Sequence, residues 1–337
     1  MLTLTMIATL ALVGCSSQTS SGEEKESETA TDSDSAYPIT IKHALGETVI
    51  ESKPERVVTI QWGNQDIALA LGVVPVGFSA ANYGVQDDSG MLPWTEEKLK
   101  ELGEENPNIF QDTDGIDFEA ISDANPDVIL ATYSGITQEE YDTLSEIAPV
   151  VAYQTSPWVA SWREQATYNA MGMGMEEEGK QLIADTEKLI EEKTKEHSVI
   201  KGKKAAFVSI SAADLSKFYI YSPQDPRGEF LTELGMEYPE SIASQMTEGS
   251  FYIEVSAENA DMLNDADVLV SYGDENTLAA LQADPILGKV PAIERGSVVI
   301  IGDNTPLAAA GTPNPLAIQY SIDEYLTLLS EAVSKLK

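Results

Sequence analysis

The chain has 337 residues but a single cysteine, two histidines, and only 20 lysines and arginines against 56 aspartates and glutamates, for a formal charge of −36. One cysteine excludes a disulfide framework and a cysteine-based zinc site. His43 and His197 stand far apart in sequence, which leaves little for histidine-rich metal centres. Phosphate backbones call for clustered cations, and an acidic chain with four arginines does not supply them, so nucleic acid is not an expected partner. Catalytic signatures are also missing: there is no G-x-S-x-G, no P-loop and no H-E-x-x-H. Gly172, Gly174 and Gly179 have the wrong spacing for a dinucleotide fingerprint, and they precede a charged helix pattern instead of following a strand. These gaps point away from an enzyme and from a resident cofactor. They favour a binding protein.

What the chain does contain begins with a short apolar run, residues 2–14. It is too short to span a bilayer, where about 20 residues are needed, and it suits the core of a secretory signal. The ending Leu12-Val13-Gly14-Cys15 resembles the lipobox of bacterial lipoproteins, in which the cysteine is lipidated and becomes the mature N-terminus. No Lys or Arg precedes the run, a departure from the usual signal. A diacylated Cys15 would bring the two chains that stable anchoring requires, on the extracellular face of the bacterial cytoplasmic membrane. Residues 16–36 hold ten Ser or Thr, six acidic residues and one Lys, the composition of a solvated tether. Most of the acidity therefore belongs to the body that follows.

That body is 42% apolar over the whole chain and long enough for two domains. Strand patterns over 56–60, 73–78, 127–131 and 150–153 alternate with helix patterns over 66–71, 118–124 and 139–147, after a hairpin at 39–50. A long charged helix is expected over 175–197. Strands at 205–210, 268–272 and 298–301 then alternate with helices at 228–235, 277–283 and 316–336. Alternation of this kind argues for α/β architecture. The expected parts are a signal at 1–15, a linker at 16–36, a lobe at 37–172, an inter-lobe helix at 173–200 and a second lobe at 201–337. The halves echo one another: Glu119 precedes Asp127-Val128-Ile129-Leu130 much as Glu258 precedes Asp267-Val268-Leu269-Val270.

Lys53-Pro54-Glu55-Arg56-Val57-Val58, Leu71-Gly72-Val73-Val74-Pro75-Val76-Gly77 and Asn125-Pro126-Asp127-Val128-Ile129-Leu130 resemble the first lobe of siderophore-type ABC-transporter substrate-binding proteins. Ile147-Ala148-Pro149-Val150-Val151, Phe230-Leu231-Thr232-Glu233-Leu234-Gly235 and Ala266-Asp267-Val268-Leu269 continue the match in order, over about residues 38–337. The resemblance implies the class III periplasmic binding protein fold: two Rossmann-like α/β lobes joined by a single long rigid helix, with the ligand in the cleft between them. It also implies that Glu119 and Glu258, one per lobe, dock onto a permease dimer that works with its ATPase. Each would otherwise serve only its helix N-terminus.

Cleft residues are expected beyond the carboxyl ends of strands. Trp62, Asn64, Tyr83, Tyr133 and Trp158 occupy such places in the first half, and Tyr221, Arg227, Tyr272 and Asn304 in the second. Among the arginines, Arg56 reads as structural and Arg295 as solvated, while Arg163 and Arg227 are placed near the ligand. Aromatic walls with an arginine suit a ferric siderophore, whose own oxygens already saturate the iron, so no metal ligands are needed from the protein. Haem, with Tyr133 as axial ligand, cobalamin and free ferric iron are alternative cargoes of the same fold. A lipid-anchored enzyme or adhesion module is the alternative of a different class. The carrier is expected to be a monomer.

Overall fold

The computed structural model describes residues 37–247 and 249–336; the signal run, Cys15 and the linker at 16–36 lie outside the described residues. The chain enters through the expected hairpin, β1 (Ile39–His43) and β2 (Gly46–Ile50). It then builds β3 (Val57–Thr59), α1 (Asn64–Ala70), β4 (Gly77–Ser79), α2 (Pro93–Glu101), β5 (Ile109–Phe110), α3 (Phe118–Asp123), β6 (Val128–Ala131), α4 (Gln138–Ser145), β7 (Val150–Ala152) and α5 (Trp162–Gly172). The strands form one parallel sheet in the order β5-β4-β3-β6-β7. Every residue of β3, β4, β6 and β7 is buried, as continuous apolar strands covered on both faces require. The strand expected over 73–78 forms only at its end, in β4.

After α6 (Glu176–Glu196) come β8 (Ala205–Ser211), β9 (Asp214–Tyr221), α7 (Pro226–Glu233), α8 (Glu240–Ala243), β10 (Tyr252–Ser256), β11 (Val268–Gly273), α9 (Thr277–Ala283), α10 (Pro291–Glu294), β12 (Val298–Gly302), α11 (Pro306–Ala309) and α12 (Pro315–Val333). The second sheet, β10-β9-β8-β11-β12, is mixed: β8, β11 and β12 run parallel, whereas β9 and β10 are antiparallel additions. Sequence reading missed those two strands. Phe218 and Ile220 of β9 are fully buried while Lys217, Tyr219 and Tyr221 beside them are only partly buried, so the strand alternates where the buried strands are continuous.

The repeated aspartates are staples. Asp127 accepts the backbone N–H groups of Glu55 (2.8 Å) and Arg56 (2.9 Å), tying the start of β6 to that of β3. Asp267 accepts the N–H of Lys204 (3.0 Å) and does the same for β11 and β8. Arg56 donates to the carbonyls of Ala124 (2.6 Å) and Asn125 (2.8 Å), as its position suggested. Arg295 is not solvated: it donates to the Asp267 carbonyl (2.6 Å) and to Ser297 Oγ (2.9 Å), the counterpart of Arg56 in the other half.

At 21 residues, α6 is about 32 Å long. Three glutamates open it and Lys193 and Lys195 close it, matching the helix dipole. Gly179 lets α6 approach α5 closely, since a Cβ there would lie 2.5 Å from Ala170 Cβ. The core of the second half includes Trp162 of α5, Ile190 of α6 and much of α12, so these helices pack on that sheet. The N-terminus of α12 in turn reaches the first half. There, the buried Asp66 of α1 accepts from Thr95 Oγ1 (2.6 Å), Trp94 Nε1 (2.8 Å) and Asn314 Nδ2 (2.8 Å) without a cation. Asn314 also caps α12. Burial pushes the Asp66 carboxyl up to about 6 against those hydrogen bonds.

Replacing Asp66 by Ala strands three buried donors, and a loss of about 3 kcal/mol in urea unfolding is expected. Because the folded-state pKa is raised, protonation of Asp66 stabilises the fold below pH 4, and that contribution fades as pH rises through about 6. The wild-type advantage over Asp66→Ala should therefore be larger, by about 1 kcal/mol, at pH 5 than at pH 7.5.

Candidate ligand-binding cleft

A cleft of about 490 Å³ lies between the two sheets, within the usual range for ligand sites. The first half contributes the loops that follow its parallel strands: Gln61 and Trp62 after β3, Ala80, Asn82 and Tyr83 after β4, Asp112 after β5, Tyr133 after β6 and Trp158 after β7. The point where strand order reverses, between β3 and β6, thus sits at the cleft floor, as doubly wound sheets dictate. The second half builds its wall differently. Tyr221, which ends antiparallel β9, and Tyr272, near the end of β11, lean on the buried ring of Phe207 at 5.7 and 5.1 Å.

Seven of the ten ligand candidates meet here: Trp62, Tyr83, Tyr133, Trp158, Tyr221, Arg227 and Tyr272. Three do not. Asn64 is fully buried and spends its amide on the Ile60 carbonyl (2.9 Å), both backbone groups of Tyr133 and Asn169 Nδ2, so it holds the β3 and β6 loops together. Arg163 lies outside the cleft, over the Trp162 ring, paired with Glu187 (2.7 Å) and Glu233. It fastens α5 to α6 and α7. Asn304 bridges the halves at the rim: its Oδ1 accepts the Gly84 N–H (2.7 Å), beside a Tyr83 hydroxyl that donates to Asp303 (2.6 Å).

Among the described residues, Arg227 is the one cation lining the cleft. Asp225, expected by no sequence argument although Asp-Pro is a helix-start signal, organises it. Asp225 is 1% exposed in its side chain, caps α7 by accepting the Arg227 N–H (2.9 Å), and receives Nη1 on both oxygens (2.9 and 2.8 Å). Nε donates to the Tyr272 hydroxyl (3.1 Å), and the guanidinium lies 4.3 Å over the Tyr221 ring. Nη2 has no hydrogen-bond partner among the described residues. Burial pushes the Asp225 carboxyl up and Arg227 opposes it. Burial also works against the Arg227 charge, but Asp225 and the nearby tyrosines outweigh it, and the guanidinium stays charged. Helix α7 begins at Pro226, two residues before the expected start, because this cap sets it.

Other residues in the wall also escaped sequence reading. Asp112 follows a two-residue strand that has no periodicity to find, and Phe251 precedes the missed β10. Gln61 and Trp158 both adopt left-handed backbone (φ 64° and 63°), a conformation that non-glycine residues keep where surrounding structure enforces it. Gly135 admits the Trp158 indole, since a Cβ there would sit 2.4 Å from Nε1. Tyr133 is 4% exposed and meets Trp158 edge-on at 5.4 Å. Burial raises its pKa above the ordinary phenol value, with Arg227 opposing, so it lines the cleft as a neutral hydroxyl. The histidines are structural: His43 meets Thr48 and His197 meets Ser330. Glu119 and Glu258 are exposed, each in the first turn of its helical segment, α3 and the 3-10 stretch Ala257–Asp265.

The family profile described as periplasmic binding protein matches residues 57–305. Among solved structures, Streptococcus pneumoniae TIGR4 PiaA in complex with ferrichrome superposes with a TM-score of 0.86 at 56% identity, covering 88% of this chain and 99% of that one. The probable siderophore-binding lipoprotein YfiY of Bacillus subtilis is 29% identical, over 80% of this chain and 77% of the relative. The ferric enterobactin-binding periplasmic protein FepB of Escherichia coli O6:H1 is 26% identical, over 80% of this chain and 85% of the relative.

Asp225→Asn leaves a buried guanidinium without its anion and is expected to cost about 3 kcal/mol of stability. Adding Arg227→Met should restore part of that loss. Urea unfolding of the two single variants and the double variant measures the coupling, and strictly additive losses would contradict it.

Proposed function

The chain belongs to the periplasmic binding protein family, and on that premise we propose that it captures a ferric siderophore of the hydroxamate kind and delivers it to an ABC-transporter permease for iron uptake. The observation that carries the hydroxamate reading is the charge of the cleft. Among the described residues its single cation is already matched by Asp225, the further charge, on Asp112, is negative, and seven aromatic rings share the wall with small and polar side chains. Such a wall grips an organic shell whose iron is coordinatively saturated and whose charges cancel. Ferrichrome, the ligand in the pneumococcal structure, is a complex of that kind, because three hydroxamates balance ferric iron. A tris-catecholate carries a triple negative charge and calls for several free cations at one place. Free ferric iron calls for clustered anionic ligands, and no group of three or more His, Cys, Asp or Glu suited to a metal occurs among the described residues.

Arg227 Nη2 is the donor left over for a hydroxamate oxygen, with Trp62, Trp158, Tyr221 and Tyr272 around the ligand. The family and the relatives are binding proteins, and the carrier reading adds that this chain binds without converting. No helix among the described residues is long and apolar enough to cross a membrane. Attachment would come through lipidated Cys15, with the tether at 16–36 giving the monomeric body reach. Glu119 and Glu258, one exposed acid on each half, would dock onto arginines of a permease dimer that is driven by its ATPase.

Ferrichrome should quench the fluorescence of the protein starting at Ser16 with a sub-micromolar midpoint, since Trp62 and Trp158 line the cleft. Arg227→Ala should raise the dissociation constant at least tenfold, about 1.4 kcal/mol. Silence with ferrichrome would contradict the reading. In cells, Glu119→Lys combined with Glu258→Lys should abolish iron uptake while the purified double variant titrates like wild type. Normal uptake would remove the docking role.

A further inference from the structure

Asp112 stands on the first-half wall of the cleft, just past β5, and accepts the Ser79 hydroxyl (2.5 Å). No cation forms an ion pair with it among the described residues. Among the described residues the charged side chains of the wall are Asp112, Asp225 and Arg227, and Asp225 already accepts Arg227 Nη1 on both its oxygens. The lining therefore keeps one negative charge in excess. It belongs to a half-buried carboxylate, where Coulomb interactions are screened less than in open solvent. Burial raises its pKa, with the Ser79 hydrogen bond opposing. Nothing in the aromatic grip on a hydroxamate shell needs this carboxylate. Its effect is on the net charge of what enters.

We propose that Asp112 is a charge selector, favouring ferric hydroxamates that carry a pendant ammonium over otherwise identical neutral ones. The inference rests on the ferric-siderophore reading and assigns a specificity residue within it. Discrimination of this kind works by attraction to one ligand charge and repulsion of the other, not by shape.

The test compares two linear ferric trihydroxamates that differ in one charge: ferrioxamine B, with its terminal ammonium, and its N-acetylated neutral counterpart. Dissociation constants are measured at low salt for wild type, Asp112→Asn and Asp112→Glu, after circular dichroism has shown each variant folded. Wild type should bind the cationic complex at least threefold more tightly than the neutral one. Asp112→Asn should erase that ratio, and Asp112→Glu should keep it. An equal ratio in wild type and Asp112→Asn, or no preference in wild type, overturns the charge selector while leaving hydroxamate capture intact. If wild type binds neither complex nor ferrichrome, the siderophore reading fails and the selector falls with it.

Discussion

One buried carboxylate, that of Asp225, decides what the cleft can hold. It begins helix α7 by capping it, and with the same oxygens it fixes the guanidinium two residues along. An arginine free to swing would sample many rotamers and offer a diffuse charge. Pinned between Asp225, the Tyr272 hydroxyl and the Tyr221 face, it offers one free nitrogen in one place. The same pinning spends most of its charge inside the protein. A site built this way would recognise a ligand by shape, aromatic contact and a directed hydrogen bond.

The rest of the fold keeps the two walls in register with that point. Helix α6 joins the halves covalently, while α12 comes back to the first half and ends its approach on Asp66. Arg163 binds α5 to α6 and α7, and the contacts of Tyr83 and Gly84 with Asp303 and Asn304 close the rim. These ties are polar and directional, so they fix relative position more than they add stability. Aromatic surfaces supply area, and polar ties supply aim.

Much of this was legible in the sequence. Continuous apolar strands and charged amphipathic helices gave the alternation of the first half and the long α6, whose limits fall within a residue of those expected. The cleft aromatics were legible because parallel strands place their following loops at one edge. The misses have physical causes. An alternating edge strand such as β9 looks like loop when the eye seeks apolar runs, and a two-residue β5 carries no period at all. Asn64 and Arg163 were misplaced because polarity near a strand end does not tell whether the partner is a ligand or the chain itself. Here the partners are Tyr133 and Asn169 for one, and Glu187 and Glu233 for the other, all distant in sequence. The Asp-Val echo between the halves was visible, whereas its cause, a carboxylate stapling adjacent strand starts, appears only once the strands are paired.

The most direct measurement is an anomalous difference map, collected at the iron edge, from crystals of residues 37–337 grown with ferrichrome. Capture in the cleft requires a single iron peak between Trp158 and Tyr272, with a ligand oxygen within hydrogen-bond distance of Arg227 Nη2. A peak outside the cleft, or an ordered ligand that leaves Arg227 untouched, would contradict it.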